Sequence, residues 1–457
     1  MREPLFNLLP RPEPVPLAGK HVLVLGLGDT GLSVARWVER QGGRARVADT
    51  RAAPPRAADF GGELHAGPFT SALLGGIDLL CISPGLSLEE PVVRVALERG
   101  VPVVGDIELF AWHVRAHNGT RVIAITGTNG KTTVTSLTGH LLRAAGLDVE
   151  VAGNIGPSAL AALAARATAP AAWVLELSSY QLETTWSLEP EAAAMLNVSE
   201  DHLDRYAGID EYAAAKARIF IGQGVQVLNR DNWRSLAMGQ PGRRRLTFGL
   251  DAPSSEEDFG VVNGMLHAGS HAFARAADLQ VHGAHNLSNA LAACALARSL
   301  GAPLEALAEG LASFRGLPHR LQRVAQRLGV DWYDDSKGTN VGATLAALRG
   351  LGRPAVLIAG GEGKGQDFSP LAPAVAQHAR AVLLIGRDAP LLERALAPSG
   401  VPLERMVSLE QAVTRAALLA RPGDAVLLSP ACASFDMFRD YRHRGDAFTA
   451  AVRSLGS

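Results

Sequence analysis

Residues 121–133, Arg-Val-Ile-Ala-Ile-Thr-Gly-Thr-Asn-Gly-Lys-Thr-Thr, decide how the rest of the chain is interpreted. Residues 122–125 are apolar and mostly β-branched, which predicts a buried parallel strand. A turn containing two glycines follows, and residues 131–133 begin a predicted helix. This layout is typical of a phosphate-binding loop, in which bare backbone N–H groups and a helix N-terminus face the phosphate.

The loop supplies the residue types that a nucleoside triphosphate needs. Lys131 is expected to hold the β- and γ-phosphates, and the Thr132 hydroxyl to ligate Mg2+. Ile125 stands where the usual pattern has its first glycine, so an ordinary glycine turn before a helix is the alternative. The expected ATP contacts in this segment are Gly127, Thr128, Asn129, Gly130, Lys131, Thr132 and Thr133.

Composition limits the class of protein. A chain of 457 residues, 47% hydrophobic and 19% charged, is expected to form two or three domains of an ordinary globular protein. The net charge of −1 does not favour nucleic acid or an anionic membrane as a partner. We expect no membrane insertion, since no apolar run approaches 18 residues. Three widely spaced cysteines indicate a reducing cytoplasm. No large apolar stripe indicates an oligomer, so we expect a monomer.

The first predicted domain, residues 1–107, begins with a strand at 21–27. It ends in Gly-Leu-Gly-Asp-Thr-Gly at 26–31, before a helix, which is the G-x-G-x-x-G pattern in its usual setting. A second strand, 45–48, ends in an acidic residue about twenty positions later. Taken alone, these features predict a dinucleotide-binding Rossmann unit, so an NAD-linked oxidoreductase is one alternative. A third strand, ending at 82, runs into a Ser-Pro-Gly turn.

The central predicted domain, residues 108–316, continues the alternation of strands and helices. Glu176 lies at the tip of an otherwise apolar strand, where a carboxylate is unfavourable unless it is paired or binds a metal; a capping carboxylate is the alternative. Glu200, Asp201 and His202 follow the next strand, either as metal and substrate ligands or as a helix cap. Residues 224–282 lose the helical period and predict β-hairpins beside the main sheet.

The third predicted domain, residues 317–457, follows a linker and repeats the α/β pattern. Strands are expected at 330–333, 354–359, 381–385 and 425–428, and each ends in a polar or glycine-rich turn. The predicted fold class is therefore α/β in three domains. A Rossmann-like N-terminal domain precedes a P-loop central ATPase domain with a small β-sheet, and a Rossmann-like C-terminal domain follows.

The Thr-Gly-Thr-Asn-Gly-Lys-Thr loop resembles the ATP loop of the Mur ligases, the ATP-dependent amide-forming enzymes of peptidoglycan synthesis. Folylpolyglutamate synthases share this loop, but the predicted domain ahead of it, which contains the motif at 26–31, argues against membership of that family. The turns Asp-Ser-Lys-x-Thr-Asn, Gly-Gly-x-Gly-Lys-Gly and Ser-Pro-Ala-Cys-Ala-Ser-x-Asp at 335–340, 360–365 and 429–436 are similar to those of the family branch that adds D-glutamate. A nucleotide-sensing protein without ligase activity is the remaining alternative.

The resemblance implies a role for each of several residues. For UDP-N-acetylmuramoyl-L-alanine it implies Gly28, Asp29, Thr30, Gly31, Asp49, Thr50, Arg51, Ser83, Pro84, Gly85 and Asn154. For D-glutamate it implies Arg320, Thr339, Lys364, Ser434, Phe435 and Tyr441. It adds Asn286, Asn289 and Asp335 to the ATP contacts. The implied catalytic residues are Lys131, His202, Lys216 and Lys337.

A metal site follows from the same resemblance. Two Mg2+ ions are implied, with ligands from Thr132, Glu176, His202 and Lys216. Ala-Ala-Lys-Ala-Arg-Ile at 214–219 matches the family segment whose lysine reacts with CO2 to form a carbamate. Without the resemblance, Lys216 would be interpreted as a solvated helix lysine. The implied reaction passes through an acyl phosphate.

Overall fold

The computed structural model describes residues 4–116, 120–202, 205–281 and 283–455. Three sheets follow one another along the chain, with five, nine and six strands. Each is parallel for most of its width and is packed with helices, so the predicted α/β fold in three parts is confirmed. The boundaries at 107 and 316 remain predictions.

The first sheet is wholly parallel and has the order β3-β2-β1-β4-β5. Its strands are β1 His21–Leu25, β2 Arg44–Asp49, β3 Glu63–Ala66, β4 Leu79–Ile82 and β5 Val103–Val104. Its helices are α1 Leu5–Leu8, α2 Asp29–Arg40, α3 Pro91–Glu98 and α4 Asp106–Ala116. The order reverses beside β1, and a crevice that can bind a ligand forms at such a switch point.

The second sheet has the order β14-β13-β12-β11-β10-β9-β6-β8-β7. Its strands are β6 Arg121–Thr126, β7 Val149–Gly153, β8 Ala172–Glu176, β9 Ala192–Met195, β10 Val225–Asn229, β11 Arg245–Phe248, β12 Asp258–Val262, β13 Met265–Ala268 and β14 His271–Arg275. Its helices are α5 Lys131–Ala144, α6 Ala159–Ala165, α7 Ser179–Glu183, α8 Ile209–Ala217, α9 Trp233–Leu236, α10 Ala284–Ser299 and α11 Leu304–Ser313. The apolar strand β6 lies between β8 and β9, so the loop after it emerges at the middle of the sheet.

The segment predicted as hairpins beside the main sheet differs from the prediction in its first half. β10 pairs in parallel with β9 and with β11, and β11 pairs in parallel with β12, so these strands extend the main sheet. Only β12, β13 and β14 form antiparallel hairpins. The difference arises because strand pairing is non-local, and the same short apolar runs suit either arrangement.

The third sheet has the order β15-β16-β20-β17-β18-β19, and only β15 is antiparallel. Its strands are β15 Gln322–Arg327, β16 Val330–Asp334, β17 Ala355–Gly360, β18 Ala379–Ile385, β19 Leu403–Arg405 and β20 Ala425–Leu428. Its helices are α12 Val341–Gly350, α13 Leu371–His378, α14 Ala389–Leu396, α15 Leu409–Leu419 and α16 Tyr441–Ser454. No helix in the described parts of the chain has the length and apolarity to cross a bilayer.

Candidate active site

The loop after β6 requires glycine at two positions. Gly127 and Gly130 have φ angles of 156° and 85°, a region that side chains with a Cβ disfavour. A Cβ on Gly130 would lie 2.5 Å from Oδ1 of Asn289. The loop is held from β9, because the Asn197 side chain accepts from the Asn129 N–H at 2.9 Å and donates to its carbonyl at 3.1 Å. These contacts fix the backbone of the predicted phosphate loop.

Two lysines meet at this loop. Nζ of Lys131 donates to the carbonyl of Gly127 at 2.8 Å, and Nζ of Lys216 donates to the same oxygen at 3.0 Å. Lys216 is 1% exposed. Burial, and then the charge of Lys131, hold the pKa of Lys216 well below its ordinary value. Burial also lowers the pKa of Lys131. The helix lysine that the sequence alone would place in solvent is therefore buried at the phosphate loop.

Glu176, at the end of β8, carries the feature that points to a cation. It is 2% exposed, and its Oε1 accepts from Nδ2 of Asn154 at 2.7 Å. Its buried Oε2 has no hydrogen-bond partner among the described residues. An unpartnered buried carboxylate oxygen is unfavourable, so a Mg2+ ligand fits this position better than a structural cap.

His202 is positioned by an aromatic neighbour. Its Nδ1 lies 2.7 Å from the Tyr180 hydroxyl, and its Nε2 lies 3.8 Å from Oδ2 of Asp201. The φ angle of His202 is 55°, so the residue turns the chain sharply after β9. Over the described ranges, no group of three or more His, Cys, Asp or Glu side chains gathers as a metal site. The expected ligand set contains one Glu and one His, and a carbamate on Lys216 would supply a further carboxylate.

The third sheet also contributes to the phosphate loop. Arg320 donates to the hydroxyl of Thr132, and Nδ2 of Asn340 lies 3.2 Å from Oδ1 of Asn129. The same Asn340 amide donates to Asp201 at 3.3 Å. Burial lowers the pKa of Arg320. Arg320, which the resemblance implies for D-glutamate, thus lies at the predicted ATP and metal site.

The remaining residues implied for ATP lie around this loop. Asn289 packs against Gly130, and its Nδ2 donates to Oδ1 of Asn286 at 3.4 Å. Asp335 accepts from the Ser429 hydroxyl at 2.7 Å, and burial raises the pKa of its carboxyl to about 7. The charge of Arg320 acts against that rise, which places the two side chains near each other.

A cavity of about 320 Å3 lies at the switch point of the first sheet. Ten of the eleven residues implied for the UDP-substrate line it: Gly28, Asp29, Thr30, Gly31, Asp49, Thr50, Arg51, Ser83, Pro84 and Gly85. Asp49 is 2% exposed and accepts from the backbone N–H of Leu27 at 2.7 Å. The side-chain hydrogen bonds of Arg51 lower the pKa of Asp49 to about 2. An anchored carboxylate beside a helix start suits a nucleotide ligand.

The eleventh residue, Asn154, lines an adjoining cavity of about 840 Å3. Asp29, Thr30 and Pro84 line both cavities. Because Asn154 also donates to Glu176, the larger cavity leads from the first sheet toward the phosphate loop.

Two of the residues implied for D-glutamate, Phe435 and Tyr441, are the aromatic partners of two cation–aromatic pairs, and Lys337, implied as catalytic, is the cation of one of them. Nζ of Lys337 lies 4.0 Å from the centre of the Tyr441 ring, and Nζ of Lys364 lies 5.7 Å from that of Phe435. Burial lowers the pKa of Lys337 to about 8. Phe435 is 65% exposed, whereas Ser434 beside it is buried. Thr339, half-buried, lies on the loop of Lys337. Arg320, which contacts Thr132, lies close enough to Lys337 and Tyr441 to interact electrostatically with both.

Family models match all three parts of the chain. The match is to the MurD-like N-terminal domain of Mur ligases at 20–105, to the Mur ligase middle domain at 125–297 and to the glutamate ligase domain of Mur ligases at 319–432. The chain belongs to the Mur ligase family. Its three sheets correspond in order to those three domains.

Curated relatives of this Mur ligase match it over most of its length. A protein of Nitrosospira multiformis named UDP-N-acetylmuramoylalanine–D-glutamate ligase is 56% identical over 96% of this chain and 96% of its own. A protein of the same name from Thiobacillus denitrificans is 55% identical, covering 96% and 98%.

Solved structures of other Mur ligases share the fold. The UDP-N-acetylmuramate–alanine ligase of Thermotoga maritima gives a TM-score of 0.60 at 19% identity and covers 95% of this chain and 100% of its own. MurF of Acinetobacter baumannii gives 0.62 at 18% identity, covering 95% and 90%.

Two structural residues of this Mur ligase escaped the sequence analysis. Arg444, on α16, is 1% exposed and donates to the carbonyls of Ser336 and Cys432. Asn197 holds the phosphate loop, as described above. Asparagine after a strand is an ordinary turn residue, and an arginine within a helix is usually solvated, so no local signal distinguished either residue. The roles given to the individual site residues remain predictions.

Proposed function

We propose that this Mur ligase joins D-glutamate to UDP-N-acetylmuramoyl-L-alanine at the expense of ATP, as a monomer in the cytoplasm. The observation that carries the proposal is the match, over 96% of the chain, to relatives that bear the name of this activity. The three cysteines are free and buried, which accords with a reducing compartment.

In the first step, the alanyl carboxylate attacks the γ-phosphate of ATP and forms an acyl phosphate, with ADP as the leaving group. Phosphoryl transfer depends mainly on positioning and on neutralising charge. The loop glycines and the N-terminus of α5 would receive the phosphates. Lys131 would exchange its contact with the carbonyl of Gly127 for the β- and γ-phosphate oxygens.

The metal ligands would be Thr132, Glu176, His202 and a carbamate on Lys216. Mg2+ held there would neutralise phosphate charge. The unpartnered oxygen of Glu176 supports this assignment. The carbamate would form when the neutral amine of Lys216 adds to CO2 and releases a proton. Burial and the neighbouring Lys131 favour the neutral amine.

In the second step, the amine of D-glutamate attacks the acyl phosphate carbonyl. A tetrahedral intermediate forms and expels phosphate, which leaves an amide and a released proton. Arg320, Thr339, Lys364, Ser434, Phe435 and Tyr441 would bind D-glutamate. Contacts of Arg320 and Asn340 with the phosphate loop bring the third domain over that loop, where closure would exclude water that hydrolyses an acyl phosphate.

The test is phosphate release from ATP and Mg2+ in the presence of UDP-N-acetylmuramoyl-L-alanine. The added amino acid is D-glutamate, L-glutamate, glycine, lysine or diaminopimelate. We expect release only with D-glutamate, together with a matching amide product, and no release with Lys131→Ala. Release with another amino acid would keep the family but overturn the D-glutamate proposal, and near-normal release by Lys131→Ala would overturn the ATP site.

The carbamate has a test of its own. Mass spectrometry of protein held in bicarbonate is expected to show the added carboxyl group on the peptide of Lys216, and the peptide of Lys20 serves as the unmodified control. An unmodified amine at high bicarbonate, in the mass spectrum and in a crystal structure, would overturn the carbamate.

A further inference from the structure

One arginine of the third domain reaches the large cavity beside the first domain. Arg442, in the first turn of α16, lines the 840 Å3 cavity together with Asp29 and Thr30 of α2 and with Asn154. These residues come from all three parts of the chain. None of the residues implied for the UDP-substrate belongs to the third domain, so this arginine is an addition to that site.

The guanidinium of Arg442 has unused donors. Its Nε donates to the Tyr441 hydroxyl at 3.2 Å. Within the described part of the chain, its two terminal nitrogens have no acceptor, and no carboxylate lies within 4.0 Å of them. Of the other arginines that line the cavity, Arg56 pairs with Asp29, and Arg36 donates to a backbone carbonyl at 3.0 Å. Among the described lining residues, Arg442 is the arginine that the third domain contributes, and its terminal nitrogens are available to an incoming anion.

Charged groups of both signs lie near Arg442. The hydrogen bond with Tyr441 and the charge of Asp440 raise the pKa of Arg442. The charge of Arg442 in turn acts to lower the pKa values of the neighbouring Lys337 and His319, although other groups dominate the shifts of both residues. On the facing side, the cavity is lined by Asp29 and Thr30, the first two residues of α2, where helix N–H groups favour phosphate. A diphosphate between these surfaces would receive helix N–H groups from the first domain and a guanidinium from the third.

We propose that Arg442 binds the diphosphate of the UDP-substrate from the third domain and so couples nucleotide binding to closure of that domain over the cavity. The inference rests on the proposed function, since it assigns one more contact to the same substrate. Arginine suits the role because its planar fork can donate two parallel hydrogen bonds to phosphate oxygens.

The experiment compares wild type with Arg442→Gln and Arg442→Lys. Arg439→Gln is the matched control, since Arg439 is exposed nearby and does not line the cavity. Calorimetry measures binding of UDP at low and high salt, and kinetics gives KM for each substrate. With Arg442→Gln we expect UDP affinity to fall about tenfold, the loss of one charge-assisted contact, and KM for the UDP-substrate to rise with it. We expect kcat to change less than about twofold, Arg442→Lys to be intermediate and Arg439→Gln to match wild type.

Three results would overturn the inference: unchanged UDP affinity in Arg442→Gln, an equal loss in Arg439→Gln, or a higher KM for D-glutamate alone. Solution scattering gives a second readout, in which the compaction that UDP produces in wild type is expected to shrink in Arg442→Gln. Wild type that binds UDP but releases no phosphate would refute the proposed function. An active wild type with an unaffected Arg442→Gln would refute only the contact.

Discussion

Arg444 links two loops of the third domain, and its loss is expected to loosen both. Its Nε and Nη2 donate to the hydroxyl and carbonyl of Ser336 at 3.0 and 2.8 Å, and both Nη atoms reach the carbonyl of Cys432 at 3.1 Å. Burial lowers its pKa to about 10, so the side chain stays charged at neutral pH. The loops carry Lys337 on one side and Ser434 on the other.

The size of the expected destabilisation follows from the carbonyl acceptors that Arg444→Met would leave without a donor. Among the described residues, the carbonyls of Ser336 and Cys432 have no other donor, whereas that of Ala433 also accepts from Glu362 N–H at 2.9 Å. An orphaned buried carbonyl costs about 1–3 kcal/mol. Two of them lower the stability of the third domain by about 2–6 kcal/mol.

Hydrogen exchange followed by mass spectrometry is the assay, because it reports each sheet separately. Arg444→Met is expected to speed exchange in β16 and β20 at least tenfold, since about 1.4 kcal/mol corresponds to that factor. Exchange in β6 should stay unchanged, and KM for D-glutamate should rise. Arg453→Met, an exposed site on the same helix, is the control. Unchanged exchange in β16 and β20 would refute the reasoning.

The other predictions concern Lys216, Gly130 and His319. Lys216→Arg places a cation at this position and cannot form a stable carbamate, so phosphate release should fall at least about a hundredfold and lose any response to bicarbonate. Activity near wild type would contradict the proposed ligand. Gly130→Ala should raise KM for ATP, because its Cβ would lie 2.5 Å from Oδ1 of Asn289. The control Gly146→Ala should leave KM unchanged, since Gly146 has a similar φ of 84° and its Cβ would meet nothing within 4 Å. Equal kinetics in the two variants would refute the clash. The hydrogen bond with Asp334 raises the pKa of His319, so its stabilising contribution is complete below pH of about 6.5 and is lost as pH rises through the higher folded-state pKa. Denaturant midpoints should therefore fall more between pH 6 and 9 in wild type than in His319→Gln, and parallel curves would contradict the pair.

The sequence predicted the elements whose signal is local. Buried strands such as β6 and β20 are apolar throughout, and the turns after them carry glycine and polar residues, so their ends and loops were recognisable. The edge strands β15 and β19 were missed because their residues are mainly polar and half exposed. Edge strands face solvent and need no apolar pattern.

The parts of the site that depend on tertiary packing were not predictable from local pattern. Burial of Lys216 at the carbonyl of Gly127 depends on α8 packing against α7, and that arrangement is absent from the segment itself. The contact between Arg320 and Thr132 joins two domains. Resemblance to the Mur ligases identified these residues as site residues, whereas the structure gives their distances and their charge environment.

The position of β20 has a consequence for how the chain reaches its folded form. It is the last strand of the third sheet in sequence, yet it pairs with β16 on one side and β17 on the other. Until β20 is inserted, the sheet consists of two halves, each with an exposed edge that could pair with another chain. Chains interrupted before β20 should therefore be aggregation-prone and become targets of chaperones and proteases, and the loop with Ser434 is completed only together with the sheet that supports it.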